Sequence, residues 1–512
     1  MTKVVVIGLD GATWDLLKPW ADNGELPAIK KLMDNGVWGI LESTIPPVTG
    51  PAWTSFSTGK NPGKHGIFDF VKLENNTLKL HQSRDIGSET IYDLLSRNNL
   101  RSVVIGLPLS FPPKDGFNGV MISDFLYAGK DIIPKSKNAY ITHYRVYPNI
   151  LLNEEEFLED MITTTKSQVD VAKKLYVKEN WDFYFFYFFA IDSVGHHFWK
   201  DIQGNTRMGQ KAKKAFRIAD RFIRWVSNEM DRETILFLMS DHGFADCPFK
   251  INLNHIFLEK GLLRTQRKEG SDDHMVLKHV ARTFDKSNKR PSIIRKSMNG
   301  LAIKPLIELI TKKKFQTVVS GVEKIGIDFE NSNAFVATSE SMSVHVRENE
   351  IKKYKEIVKE IVETLRELEY RGQRVFKDVL LKDEVYSGPF TESAPDILLI
   401  PNGFQISSRL GDEIYSAFNT GGWHDLGGIF LAFGSNIRAS SAELKNLKIY
   451  DIMPTILHIL GLPIPNDMDG RVLTDIFNKE SEFAIREIIY QEDKAKYEKW
   501  RIKRKLEQLR NI

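Results

Sequence analysis

Val4-Val5-Val6-Ile7-Gly8-Leu9-Asp10-Gly11 is the stretch that decides the fold. An apolar, β-branched run that stops at Asp-Gly predicts a strand buried on both faces of a parallel sheet and closed by a turn. Runs of the same kind recur at 102–105, 183–191, 234–239, 397–400 and 429–433. Helical patterns separate several of them. Residues 26–36 carry Pro27 at the start and Gly36 past the end, the asymmetry of a helix. Residues 89–97 and 155–177 also read as helices. Strands alternating with helices predict an α/β fold.

The 512 residues are 42% hydrophobic and 27% charged, which excludes a disordered, collagenous or coiled-coil chain. Lys and Arg number 71 against 67 Asp and Glu, and a net charge of +4 gives no overall attraction to nucleic acid. Cys247 is the single cysteine, which suits a reducing compartment. The first residues lack the pattern of a secretory signal. The most apolar run, 183–191, is far shorter than the ~20 residues of a membrane helix. The expectation is a soluble, cytoplasmic protein.

The α/β core is expected over 1–262 and 390–478. Residues 263–332 break the alternation with a basic stretch (Lys286 to Lys296, then Lys312-Lys313-Lys314) and read as a helical insertion or lid. Its apolar face would also suit peripheral contact with a lipid surface. Residues 333–389, with an amphipathic helix over 351–370 and the strand-like Arg374-Val375-Phe376, read as a small α+β subdomain. Residues 479–512 read as a charged helical tail.

Asp or His stands at four strand ends or starts: Asp10 after 4–9, Asp192 with His196 and His197 after 183–191, Asp241-His242 after 234–239, and His424-Asp425 before 429–433. Ligands of open α/β sheets bind outside the carboxyl ends of the strands, so sites distant in sequence can converge there. Carboxylate and imidazole ligands suit zinc or manganese. Taken singly, each reads more readily as a cap, a turn former or a hydrogen-bonded structural residue than as a ligand. A fifth element is Pro46-Pro47-Val48-Thr49-Gly50-Pro51-Ala52-Trp53, whose prolines enforce an extended approach before a helix opens at Gly50-Pro51. Thr49 then stands at a helix N-terminus, where free N–H groups favour an anion. It reads as an N-cap or as a nucleophile, the latter requiring a base or metal to activate it.

As an ordered set, Gly8-Leu9-Asp10-Gly11, the Pro46–Trp53 segment through Gly59-Lys60-Asn61-Pro62-Gly63-Lys64-His65-Gly66-Ile67, Asp192-Ser193-Val194-Gly195-His196, Ser240-Asp241-His242-Gly243, Gly421-Gly422-Trp423-His424, Tyr450 to Leu457 and Met468-Asp469-Gly470-Arg471 resemble the alkaline phosphatase superfamily. The resemblance is greatest to its type I phosphodiesterase/nucleotide pyrophosphatase branch and the phosphohydrolase/phosphomutase relatives. It implies an alkaline-phosphatase-like layered sheet, mostly parallel, with helices on both faces. It also implies two divalent metal ions, zinc or manganese, with Asp10, Thr49, Asp241 and His242 around one and Asp192, His196 and His424 around the other. Thr49 would attack the phosphorus of a small-molecule phosphate ester, passing through a phosphothreonine. A phosphodiesterase is the first expectation, a phosphomonoesterase or phosphomutase the second, and a non-catalytic metal-binding interaction protein the third.

The pattern departs from the family in two places. The asparagine that holds phosphoryl oxygens in the branch has no match here (Ala52 stands three residues after Thr49), so the donor is expected from the Gly50 N–H, Lys60 or Lys64. The aromatic pair that sandwiches a nucleobase has no match. Trp53 and Phe68 are expected in the core, His65 in a structural role, and His197 at the surface or behind a ligand.

Overall fold

The computed structural model describes residues 2–127, 129–267, 325–410, 413–439 and 443–491. Its main sheet has nine strands: β1 (Lys3–Leu9), β2 (Val37–Glu42), β3 (Ser102–Ile105), β4 (Gly119–Ile122), β5 (Ile132–Ile133), β6 (Phe183–Phe188), β7 (Thr234–Met239), β8 (Gly427–Phe433) and β9 (Glu443–Lys448), in the order β9-β2-β8-β7-β1-β6-β3-β4-β5. The opening run lies in the middle of the sheet. It is parallel to β6 and β7, with Val4 opposite Phe183 and Ile235. β3 and β4 extend the parallel side, whereas β8 runs antiparallel between β2 and β7.

The longer helices are α1 (Trp14–Asp22), α2 (Pro27–Asn35), α3 (Thr49–Thr58), α4 (Glu154–Lys178), α5 (Ala190–Gln203), α6 (Arg207–Glu229), α7 (Ile351–Glu367) and α8 (Ile452–Ile459). Side chains alternate across a strand, so the continuous apolar runs feed two layers at once. Val5, Ile7 and Leu9 pack with α1, α2, α4, α5 and α6. Val4 and Val6 face the other layer, which contains α3 and α8. This is the expected α/β fold, with helices on both faces of a mostly parallel central sheet.

Three strand readings are corrected. The run 429–433 lies in the main sheet, but as part of β8 it is antiparallel to both neighbours. The run 183–191 leaves the sheet at Phe188, and α5 begins at Ala190, so Asp192 lies in the first turn of a helix. Ile397–Pro401 is a strand, but not of the parallel sheet. It pairs antiparallel with Ser343–Val346 and with Phe376–Leu381, in a four-stranded sheet that Ala334–Phe335 completes. An apolar run records burial on both faces and not the direction of its neighbours, which explains the misreading. Here α7 covers one face of the small sheet through Ile361, Val362 and Leu365.

This α+β unit is joined to the core by hydrogen bonds from Thr338 Oγ1 to Asp69 Oδ2 (2.8 Å) and from Tyr386 Oη to the Ile45 carbonyl (2.6 Å). The two ends of the basic segment pair with each other, Thr265–Arg267 against Ile325–Ile327. The expected helical lid and lipid contact over 268–324 lie outside the described residues, as does most of the expected helical tail. Of that tail the structure describes a short helix, Glu482–Ile485, and a bridge from Tyr490 to Ile464.

Candidate functional site

The carboxyl ends of β1, β6 and β7 are adjacent, and each delivers an acidic residue to the same place. Asp10 follows β1 directly, and its N–H donates to the Phe188 carbonyl at the end of β6 (3.3 Å). Asp192 and His196 sit one helical turn apart on α5, so both reach the same side, with Asp192 Oδ1 3.3 Å from His196 Nε2. Asp241 and His242 follow β7. From there Gly243–Asp246 pairs antiparallel with Gly422–Asp425, placing Phe244 opposite His424. That ribbon lays the His424 ring over His242, with centroids 3.8 Å apart. Thr49 is the first residue of α3, and its Oγ1 lies 3.2 Å from His242 Nε2.

All seven residues singled out from the sequence therefore converge. Donor atoms of Asp192, His196 and His424 lie within 4.8 Å of one another, as do those of Asp10, Asp192 and His242. Asp192 reaches both groups, although the family resemblance assigned it to one. Asp241 joins the second group through Oδ2, 3.4 Å from His242 Nε2.

The electrostatics fit a cation. Asp10, Asp192 and Asp241 are buried, and Asp10 Oδ1, Asp192 Oδ1 and Asp241 Oδ2 have no hydrogen-bond partner. Unpaired buried carboxylate oxygens are costly, and three together call for a cation beside them or for protonation. Burial, then the neighbouring Asp241 and Asp192, push the Asp10 carboxyl well above its usual range. Burial likewise raises Asp241. Burial also acts upward on Asp192, but the His196 and His424 imidazoles outweigh it and hold that carboxyl well below the usual range. Burial and the adjacent His242 push His424 down to about 3, so it is a neutral imidazole.

Its tautomer is set by structure. His424 Nδ1–H donates to the Pro47 carbonyl (3.0 Å) and His242 Nδ1–H to the Gly243 carbonyl (3.0 Å), because a carbonyl can only accept. Each ring thus turns its Nε2 inward, the arrangement metal-ligating histidines adopt. The residues present suit divalent ions such as zinc or manganese.

The first turn of α3 supplies the other polarity. Ala52 N–H bonds to the Val48 carbonyl and Pro51 has no N–H, which leaves the Thr49 and Gly50 N–H groups without an intrahelical acceptor. They are the donors available to an anion at Thr49. Lys60 and Lys64, the other expected donors, are turned elsewhere. Lys60 Nζ pairs with Asp467, and Lys64 Nζ with Asp469 (2.6 Å) and the Asp467 carbonyl (2.8 Å), tying this loop to the C-terminal segment.

His65 is structural as expected. It is buried, accepts from Ile67 N–H at Nδ1 (3.2 Å) and meets Ser55 Oγ at Nε2 (2.9 Å), and burial pushes it down to about 3. Trp53 is fully buried, and Phe68 packs on Tyr386 at 5.3 Å. His197 is exposed, as the surface reading expects, with its ring 4.7 Å from that of Phe157, and its Nδ1–H donates to the Ser193 carbonyl (2.8 Å).

Two residues that shape the site, Tyr187 and Phe244, escaped the sequence reading. The Tyr187 hydroxyl donates to Asp10 Oδ2. Phe244 wedges its ring between two motif glycines: a β-carbon at Gly11, where φ is +63°, would come within 2.8 Å of it, and one at Gly195 within 2.9 Å. Gly8 has the same relation to Trp53, whose Cη2 would lie 2.5 Å from a β-carbon. The glycines were visible as motif letters, and the rings that require them were not.

Comparison with known proteins agrees with this geometry. The model of the type I phosphodiesterase/nucleotide pyrophosphatase family matches residues 4–425. Among solved structures, the murine ectonucleotide pyrophosphatase/phosphodiesterase 5, an inactive form in complex with AMP, is 13% identical with a TM-score of 0.53, covering 93% of this chain and 100% of that one. The human ectonucleotide pyrophosphatase/phosphodiesterase 5 is 15% identical with a TM-score of 0.52 over the same shares. Phosphonoacetate hydrolase from Sinorhizobium meliloti, in complex with phosphonoformate, is 14% identical with a TM-score of 0.50, covering 88% and 94%. At these identities the likeness is one of fold. No curated protein matches the sequence. Among the described residues no helix is long and apolar enough to cross a membrane. With the family model spanning 4–425, the chain belongs to the type I phosphodiesterase/nucleotide pyrophosphatase family, and it is a hydrolase of phosphoric esters.

Proposed function

We propose that the chain is a two-metal phosphodiesterase in which Thr49 is the nucleophile and Asp10, Thr49, Asp192, His196, Asp241, His242 and His424 hold the ions, zinc by preference and manganese as the alternative. The observation that carries this reading is the set of buried carboxylate oxygens of Asp10, Asp192 and Asp241 gathered 3.4–3.5 Å from the Nε2 atoms of His242 and His424, with the Thr49 hydroxyl 3.2 Å from His242 Nε2. When bound, the ions would make the hydroxyl acidic enough to ionise and would neutralise phosphoryl charge. The chain supplies the rest. α3 fixes Thr49 Oγ1 in place, and the free N–H groups of Thr49 and Gly50 bind a phosphoryl oxygen of the small-molecule ester. Attack forms an Oγ1–P bond and breaks the bond to the leaving alkoxide, and water then hydrolyses the phosphothreonine. Much of the acceleration comes from positioning and charge neutralisation.

The free, buried Cys247 supports a cytoplasmic setting, and the small net charge supports a substrate other than nucleic acid. The test is Thr49→Ala, assayed on bis-(4-nitrophenyl) phosphate and on the mono-ester, with metal content measured in parallel. Turnover of the diester by wild type should exceed that of the mono-ester. The variant should lose roughly a thousandfold or more, ~4 kcal/mol of transition-state stabilisation, while retaining bound metal. Unchanged turnover removes Thr49 as nucleophile, and preference for the mono-ester moves the chain to the phosphatase reading.

A further inference from the structure

Tyr187 lies in an aromatic strand, yet its hydroxyl does not face apolar neighbours. On β6 it stands opposite Gly8 of β1, two residues before Asp10. The ring is 5% exposed, edge-on to Trp53 at 5.6 Å and stacked on Phe125 at 6.3 Å, so its direction is set by packing on both sides. From there the hydroxyl donates to Asp10 Oδ2. The other oxygen of that carboxylate, Oδ1, is buried without a partner and lies 3.5 Å from His242 Nε2. A carboxylate with both oxygens free can rotate and chelate through either or both. One with an oxygen engaged by a rigid donor offers a single oxygen in one direction.

We propose that Tyr187 is a positioning residue for Asp10: its hydroxyl occupies Oδ2 and turns Oδ1 toward His242, so that Asp10 offers one oxygen to the metal site. This rests on the metal-site reading above. Tyr184, on the opposite face of the same strand, provides an internal control, because its hydroxyl donates to the Ala172 carbonyl (2.7 Å) within the helical layer.

The test is zinc and manganese binding, by calorimetry, to chelator-treated Tyr187→Phe, Tyr184→Phe and wild-type protein, with thermal unfolding of each without metal. Tyr187→Phe keeps the ring and its contacts. One of the two ions should bind roughly 10- to 100-fold more weakly, the second should be unchanged, and the metal-free unfolding midpoint should stay near that of Tyr184→Phe. Tyr184→Phe should bind both ions as wild type does. Wild-type affinities in Tyr187→Phe, or equal weakening in Tyr184→Phe, overturn the proposal. Wild type that takes up no divalent ion overturns the metal-site reading itself and the role of Tyr187 with it.

Discussion

Gly8→Ala tests how the core holds Thr49, the proposed nucleophile. A β-carbon there would sit 2.5 Å from Trp53 Cη2, 3.2 Å from Trp53 Cζ2 and 3.1 Å from Phe185 Cζ. Carbon atoms in good contact are ~3.5–4.0 Å apart, so something must yield by about 1 Å. Trp53 cannot rotate away, since it is fully buried and boxed edge-on by Phe56 (5.7 Å), Phe185 (5.5 Å) and Tyr187 (5.6 Å). It lies one helical turn after Thr49 on α3, so displacement of the indole shifts the helix that carries the hydroxyl. Overpacking of this kind costs about 1–3 kcal/mol of stability, and a ~1 Å misplacement of a reacting group up to about a hundredfold in rate.

The assay is equilibrium denaturation together with turnover of bis-(4-nitrophenyl) phosphate in Gly8→Ala, Trp53→Phe and the double variant. Trp53→Phe removes the benzo ring that contains both clashing atoms and on its own leaves a cavity worth about 1–3 kcal/mol. In the double variant the new methyl enters that space. The two changes should then couple favourably by about 1 kcal/mol or more, with part of the rate restored. Wild-type stability and turnover in Gly8→Ala, or a double variant equal to the sum of the singles, would refute the reasoning.

Chelation should lower the unfolding midpoint, because Asp10, Asp192 and Asp241 then lose the charge that offsets their burial; readdition at a hundredfold excess over the dissociation constant should restore about 2.7 kcal/mol per site, and scanning calorimetry would read it. Asp69 offers a pH test. Burial pushes its carboxyl from 3.8 up to about 6, against hydrogen bonds from Thr338 and the Phe70 N–H. A carboxyl whose pKa is higher in the folded state contributes most below pH ~4 and loses that contribution as pH rises to ~6, here up to about 3 kcal/mol. Asp69→Asn should therefore gain stability relative to wild type across that window, and urea midpoints that run parallel from pH 4 to 7 would contradict it.

Much of the site was legible because its residues announce themselves locally. A strand run ending in Asp10, an Asp192–His196 pair four residues apart, and Thr49 behind two prolines each keep their chemistry in a short segment, and strand ends are where an α/β sheet gathers such residues. The nine-strand order, the antiparallel home of Ile397–Pro401 and the stop of β6 at Phe188 were settled by pairing between distant segments, to which local apolar content is blind.

The sequence by itself determined the α/β class, which depends on residue type and short spacing, and its ordered motifs, through their resemblance to the alkaline phosphatase superfamily, singled out the seven side chains and the nucleophile candidate. Tertiary structure alone decided that Asp192 reaches both donor groups, that Lys60 and Lys64 turn to Asp467 and Asp469, and that Tyr187, Trp53 and Phe244 set the geometry. An aromatic side chain reads as core wherever it stands. Whether its ring or hydroxyl also aims a ligand depends on what lies against it, and for Tyr187 that partner is Asp10, 177 positions away along the chain.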